Sequence, residues 1–527
     1  MINPTPIASL ISAGLVIFIL LSQTELWQRK EYRLDRLLSW LNSPTGQRLS
    51  LAWGLGLGSL IFAAWLFFFF EQSLNISRLF AWLVIIALTA YHFYRLKKRG
   101  LFRPKFTTKA QLIIAVASAL IILNFLIFFT SFHLITLRWA TLLWSLPLLV
   151  AISVIAVNIP ADIRKRQIFT QAATHRRKFP DLKVVGITGS YGKTSTKHFA
   201  LQLIPQAIGT PDHHNSRLGV AQDVLKSLNK KTKIYIAEAG AYTIGEVAEI
   251  AAIIQPQIAV ITAIGNQHLE LFGSQASILK TKWELIKALP PDGIAILNAD
   301  SPLLSKQKTK NKTITYSTQK PADIYASDII VKPTSLTCTL HLFSDQQAVS
   351  IPLAGAGSLS CALAAAACAY ALGLESSTIF SRLQNLKAFP HTMEIKSGRN
   401  HSIIIDDSYS ANEAGALAAI NHLKTFPPVD QRVVLKPLLE LGSAAPAAHE
   451  KIGQALGQTR AKIFLTETDY LKDIQTGLKS SGYQANPIVI TNPQELARAA
   501  SQNLSNQTVV LLEGRLQDVV RLSFTND

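Results

Sequence analysis

Five apolar runs crowd the first 160 residues, at approximately 5–24, 49–70, 76–94, 110–130 and 139–159, and each approaches the ~20 residues that cross a bilayer as a helix. Runs of this length and number are predicted to be membrane spans. The first has neither a basic leading segment nor a small-residue cleavage site, and four more runs follow it, so it is expected to be retained rather than removed as a signal peptide. The loops set the expected orientation. Arg29, Lys30, Arg33, Arg36 and Arg48 follow the first run, and Arg95, Lys97, Lys98, Arg99, Arg103, Lys105 and Lys109 follow the third. The alternate loops carry only Arg78 and Arg138. The positive-inside bias therefore predicts a multi-pass protein of the plasma membrane, its amino terminus outside and everything beyond Arg164, Lys165 and Arg166 in the cytoplasm.

This pattern also accounts for the charge. The 527 residues carry a formal +19, but residues 1–180 hold 20 Lys and Arg against 5 Asp and Glu, which leaves 32 against 28 beyond them. A basic excess confined to membrane-flanking loops excludes nucleic-acid binding as its explanation. No Asp, Glu, Lys or Arg interrupts the middle of a run, so no ion or proton path is indicated, and an anchor is preferred to a transporter or to a domain handling a lipid. The basic stretch 161–181 reads as a linker that can lie on anionic lipid headgroups. Cys338, Cys361 and Cys368 have no metal or disulfide spacing and read as reduced, small core residues.

After the linker the pattern changes. Residues 182–188 read as a buried strand, followed by Gly189-Ser190-Tyr191-Gly192-Lys193-Thr194-Ser195 and an amphipathic helix to about Ile204. Glycines that let backbone N–H groups approach phosphate, a helix amino terminus, a lysine for the outer phosphates and a hydroxyl for Mg2+ form the recipe for a nucleoside triphosphate. The general P-loop has glycine where this chain has Ile187, so the match is to a narrower form, G-x-x-G-K-[ST]. Residues 324–353 alternate like antiparallel strands, and a helix follows over about 359–372. Strands near 402–406, 432–436, 462–466, 487–491 and 508–513 alternate with helices and predict a second doubly wound α/β domain.

The segment GITGSYGKTST resembles the ATP loop of the Mur ligases, which build the peptide of bacterial cell-wall precursors. The stretches Ala237–Ile286 and Gly293–Asp300 follow in that family's order. EAGAYTIGE, HLELFGS, DDSYSAN and LELG most resemble the branch that adds D-alanyl-D-alanine to UDP-N-acetylmuramoyl-tripeptide. The resemblance covers roughly residues 182–521. It implies a P-loop Mur-type central ATPase domain over 182–388 and a Rossmann-like carboxy-terminal domain over 389–527, which follow the membrane domain of five helices over 1–160 and the linker over 161–181 read from the apolar runs and charges.

Carried over residue by residue, it makes Glu238 and His268 ligands of a second Mg2+, with Thr194 on the first. Taken alone, Glu238 is a strand-end carboxylate and His268 a loop histidine. Lys282 falls where the family carries a lysine that takes up carbon dioxide as a carbamate, with Lys280 as a nearby competitor. Asn298 and Asp300 match positions that contact adenosine, or form an ordinary strand-to-loop turn. Asn215 stands near the acceptor substrate, and Asp407 and Asn412 near the amine. The implied cofactors are ATP and Mg2+. The implied partners are a UDP-linked or lipid-linked muramoyl-peptide acceptor, an amine such as D-alanyl-D-alanine, and membrane lipids.

Departures from the family's pattern concentrate away from the ATP loop. Residues 355–361 read GAGSLSC in place of G-x-H-N-x-x-N, and Thr392 stands for an arginine that reaches phosphate, with Lys396 or Arg399 as candidate substitutes. K-G-S-R becomes Glu513-Gly514-Arg515, and DDSYNANP becomes DDSYSANE with Ser410 and Glu413. The membrane runs stand where the family has a soluble domain for the UDP end of the acceptor. The leading reading is an anchored ligase; the rival is an ATP-binding membrane scaffold that has lost ligation.

Overall fold

The computed structural model describes residues 5–30, 32–34, 37–38, 41, 104–131 and 135–525, apart from 213, 268, 410, 428, 439 and 440. The chain divides into two compact units, residues 1–166 and 167–527. In the first, helices Thr5–Arg29, Thr108–Ser131 and Ile135–Arg177 cover three of the five apolar runs. Two stretches, Thr108–Ile127 and Ser145–Arg177, are long and apolar enough to cross a membrane. The runs at 49–70 and 76–94 lie outside the described residues, so the expectation of five helices is met only for these three segments.

The linker expected over 161–181 is instead helical to Arg177, and its end is part of the second unit. Ala172 is fully buried, and Arg176 is 3% exposed. The Arg176 guanidinium donates to the carbonyls of Ile254 (3.0 Å), Phe179 (2.6 Å) and Leu182 (3.1 Å). A buried charge is tolerated there because each of its three nitrogens donates to a backbone carbonyl. Composition marked this stretch as polar, but three carbonyls at loop and helix ends convert one of its arginines into a core residue.

The second unit holds two sheets. The first runs in the order β2-β3-β1-β4-β5-β6-β7-β8-β9, from β1 (Lys183–Thr188), β2 (Ala207–Gly209), β3 (Ile234–Glu238), β4 (Ile258–Ile261), β5 (Ile294–Asn298), β6 (Lys312–Ser317), β7 (Ile324–Val331), β8 (Leu336–Leu342) and β9 (Asp345–Ile351). Strands β1 to β7 pair in parallel and β7-β8-β9 antiparallel. The difference is visible in the residues. β1 and β3 are covered on both faces and are apolar almost throughout, whereas β8, LTCTLHL, buries every second residue.

Helix Ala356–Ala371 packs beside helix Lys193–Leu203 against this sheet, with Ala362 and Ala364, Ala365, Ala366 and Ala367 fully buried. Small side chains let the helix approach its neighbours closely, which a leucine-rich helix could not do. The second sheet runs β10-β11-β15-β12-β13-β14, from β10 (Glu394–Ser397), β11 (Ile403–Asp407), β12 (Asp430–Leu435), β13 (Lys462–Leu465), β14 (Ile488–Val489) and β15 (Thr508–Glu513). Only β10 is antiparallel to its neighbour. Each sheet places the carboxyl ends of parallel strands at one edge, where open α/β folds bind ligands.

Candidate active site

A cavity of about 660 Å³ lies between those two edges. Its floor is the loop after β1. Gly189 has φ +151°, and a Cβ there would meet the Thr262 hydroxyl at 2.0 Å; Gly192 has φ +80° and leads into helix Lys193–Leu203. Both positions thus require glycine. Ile187, at the place where a general P-loop has glycine, is a fully buried residue of β1. Thr262, just past β4, donates to the Tyr191 carbonyl at 2.5 Å and braces the loop from the neighbouring strand.

Ser190, Lys193, Thr194 and Ser195 all line the cavity. The Lys193 ammonium curls over the loop, donating to the carbonyls of Gly189 (2.8 Å) and Ser190 (3.3 Å), and burial lowers its pKa. The Thr194 hydroxyl donates to both oxygens of Glu238, at 3.1 and 3.0 Å, and the Asn215 amide donates to Glu238 Oε1 at 3.0 Å. Glu238 ends β3 beside the loop and is 2% exposed. Its nearest cation, Lys197 Nζ, lies 3.8 Å away and donates at 2.8 Å to the Thr210 carbonyl instead. A buried carboxylate and a hydroxyl held together, with no cation in hydrogen-bond contact, form a hard-oxygen donor set suited to Mg2+. His268, the other expected ligand, lies outside the described residues.

Lys282, on helix Gln275–Lys287, faces the cavity and is 3% exposed, whereas Lys280 is exposed to solvent. Burial, reinforced by the charge of Lys193, brings the Lys282 pKa down to about 7. An amine must be neutral to take up carbon dioxide, so of the two lysines Lys282 has the chemistry for a carbamate.

Asn298 lines the cavity, but both ends of its amide are engaged, donating to the Thr262 carbonyl (2.9 Å) and accepting from Asp300 N–H (2.9 Å). Asp300 does not reach the cavity. Its carboxylate accepts from the Ser317 hydroxyl (2.5 Å) and from Thr318 N–H (2.7 Å), pinning the loop after β6. Cys361, expected in the core, instead touches the loop, its thiol 3.7 Å from the Gly192 carbonyl.

The opposite wall comes from the second sheet. Asp407, ending β11, lines the cavity with Asn412, whose side chain caps helix Glu413–Leu423 by accepting from Gly415 N–H at 2.9 Å. Tyr409 packs edge-on to Phe389 at 4.8 Å and is hydrogen-bonded to Thr194, so the two domains meet at the loop itself. Glu413 accepts from the Asn266 amide at 3.3 Å, a second tie between the domains.

Thr392 lines the cavity without supplying charge. Neither expected substitute does so. Lys396 is held by Glu394 (2.9 Å) and Asp406 (3.0 Å), and Arg399 donates to the Thr525 carbonyl. The guanidinium that reaches the cavity is Arg515. Tyr191, Thr262, Tyr409 and Arg515 escaped sequence reasoning; their common signal is position just beyond a strand's carboxyl end. His391, Glu394 and Asp406 offer ligand atoms within 4.8 Å of one another, but the Lys396 ammonium bonds to all three.

Residues 187–369 match the Mur ligase middle domain, and residues 393–516 match the Mur ligase glutamate ligase domain. The chain belongs to the Mur ligase family. Members of this family are ATP-dependent, ADP-forming ligases that use ATP and Mg2+. Among relatives of this Mur ligase, the UDP-N-acetylmuramoyl-tripeptide–D-alanyl-D-alanine ligase of Escherichia coli is 32% identical over 308 residues, 57% of this chain and 68% of that protein. The ligase of the same name from Mycobacterium bovis is 34% identical over 288 residues, so that this chain spans 56% of its length. Among solved structures, MurF from Acinetobacter baumannii superposes with a TM-score of 0.60 at 23% identity, covering 68% of this chain and 78% of that one. MurF from Thermotoga maritima, solved with ADP, gives 0.60 at 24%, covering 67% and 82%. The fold is thus that of a Mur ligase central domain joined to its carboxy-terminal domain.

Proposed function

We propose that this Mur ligase is held in the plasma membrane and joins an amine, D-alanyl-D-alanine by its likeness to the relatives above, to the terminal carboxylate of a muramoyl-peptide. The observation that carries the reading is one cavity in which the phosphate loop, the Thr194–Glu238 pair and Lys282 face Asp407 and Asn412 across the domain boundary. A site for phosphoryl transfer and a site for an incoming nucleophile must share one space if an acyl phosphate is to be made and consumed without meeting water.

In this reading the acceptor carboxylate takes the terminal phosphoryl group of ATP, and the amine then displaces phosphate to leave an amide. Lys193, released from its two carbonyls, bridges the outer phosphates. Thr194 would hold one Mg2+ and Glu238 with His268 a second, which when bound would neutralise charge between ATP and the acceptor carboxylate. Lys282 as a carbamate adds a negative group that positions the metal site. Arg515 is the cation placed to meet the departing phosphate. The apolar faces of the first unit support the membrane reading, with Leu123, Leu126, Ile155 and Ile159 exposed along helices long enough to cross.

Incubation of the detergent-solubilised chain with ATP, Mg2+, D-alanyl-D-alanine and a muramoyl-tripeptide carried on UDP or on polyprenyl phosphate tests this. Phosphate release that rises only when acceptor and amine are both present supports it, and the carrier that stimulates identifies the acceptor. Release indifferent to the acceptor refutes it. The scaffold reading makes the opposite prediction in cells, where Lys193→Ala would then sustain wall synthesis as well as the wild type.

A further inference from the structure

Asp407 and Glu513 are register partners on adjacent parallel strands, β11 and β15, so their side chains leave the sheet on the same face at its carboxyl edge. Asp407 is 6% exposed and Glu513 1%. Met393 N–H donates to Asp407 Oδ1 at 3.1 Å, while both oxygens of Glu513 are buried without a donor. The two carboxyls lie within hydrogen-bonding reach of each other.

The neighbouring charges are engaged elsewhere. On the β10 side Lys396 and His391 bond to Asp406, and beyond β12 Lys436 pairs with Glu467 at 3.5 Å. Arg515 forms no ion pair with either carboxyl, and among the described residues no Lys, Arg or His does. Two adjacent carboxyls taken from water with no cation cannot both ionise, so they hold a proton between them and titrate as a pair. Burial pushes both carboxyls up: Asp407 to about 7, with the charge of Asp406 adding to the rise and a hydrogen bond from Glu513 opposing it, and Glu513 well above its ordinary range, with the charge of Asp407 adding to it. Of the two, only Asp407 opens onto the cavity.

We propose that Asp407, with Glu513 behind it, accepts the proton that the donor ammonium must lose before it can attack the acyl phosphate. The proposal rests on the ligase reading above. An alkylammonium has no lone pair, and the wall facing the phosphate loop offers this one carboxyl pair with a vacant proton site. The ammonium N–H bond breaks, its proton goes to the Asp407 carboxylate, and the freed lone pair forms the C–N bond. The C–O bond to phosphate then breaks, the departing phosphate takes the second nitrogen proton, and Asp407 returns its own to solvent. Glu513 is a positioning residue: it carries the pair's proton and donates it as a hydrogen bond to Asp407, which leaves the Asp407 carboxylate able to act as the base near neutral pH.

The test compares two nucleophiles on the full chain in detergent, with UDP-N-acetylmuramoyl-tripeptide as acceptor. D-Alanyl-D-alanine arrives as an ammonium, whereas hydroxylamine is already neutral at pH 7.5 and reports the acyl phosphate as hydroxamate. For Asp407→Asn, kcat for the amide is expected to fall about 10²- to 10⁴-fold, the usual contribution of general-base catalysis, and hydroxamate formation less than tenfold. For Glu513→Leu, which removes that donor, the acidic limb of the kcat profile with D-alanyl-D-alanine is expected to move about one pH unit higher, and for Glu513→Gln, whose amide still donates, by less. Equal losses with both nucleophiles in Asp407→Asn, or an unmoved limb in Glu513→Leu, overturn the proposal. Wild-type chain that forms no hydroxamate overturns the ligase reading itself, which separates the two failures.

Discussion

Replacing Lys282 by methionine should make the protein more stable and the enzyme inactive. A methionine matches the length of the buried stem and removes the ammonium. The wild-type lysine binds its proton less tightly in the folded chain, at about 7, than in the unfolded chain, at 10.5. Where the unfolded state binds more protons than the folded one, stability rises with pH. The lysine therefore costs nothing above 10.5, costs progressively more as pH falls from 10.5 to about 7, and costs a constant amount below. At about 1.4 kcal/mol per pH unit that constant is about 5 kcal/mol, an upper limit because solvent and structure relax around a buried charge. Lys282→Met is thus expected to gain roughly 2–4 kcal/mol below pH 7, with the gain shrinking towards zero at pH 10. Chemical unfolding of the detergent-solubilised pair from pH 6 to pH 10, in buffers freed of bicarbonate, measures it. A variant less stable than wild type, or one whose advantage does not change with pH, would refute the reasoning. Adding bicarbonate should stabilise the wild type alone.

Gly189→Ala should abolish nucleotide binding by calorimetry, since the new Cβ would stand 2.0 Å from the Thr262 hydroxyl; affinity within threefold of wild type would contradict this. Glu238→Gln is expected to raise the Mg2+ concentration for half-maximal activity by about 10- to 100-fold, read from a metal titration of phosphate release. Arg176→Ala removes the guanidinium donor from the Ile254 and Leu182 carbonyls and one of two donors from that of Phe179 and should cost about 3 kcal/mol, visible as a lowered unfolding midpoint; an unchanged midpoint would show that water replaces the guanidinium.

The α/β organisation of the second unit was readable because its signals are local. A strand, two glycines, a lysine and a helix lie within about twenty consecutive residues, and strands such as β8 declare their exposed and buried faces by alternation. What escaped depends on contacts between distant segments. Asp300 is indistinguishable in sequence from a ligand-binding carboxylate until Ser317 and Thr318 fold back onto it. Lys396 passes for a spare phosphate-binding cation until Glu394 and Asp406 occupy it. The exchange of lysine for Glu513 was conspicuous, but its meaning needed the register that sets it beside Asp407. Composition likewise marked 161–181 as linker, because a single arginine buried among carbonyls leaves no trace in average polarity.

The docking of Arg176 bears on how the catalytic body can be separated from the helices that precede it. A soluble fragment begun at Leu182, just ahead of β1, would discard Ala172 and Arg176, open the apolar patch around Leu228 and Ile254, and strip the guanidinium from the carbonyls of Ile254 and Leu182. A fragment begun near Gln167 keeps those residues and should remain in solution where the shorter one precipitates. The amino-terminal edge of the enzyme body thus lies inside the helix Ile135–Arg177, beyond its apolar run and within the part that composition reads as a linker.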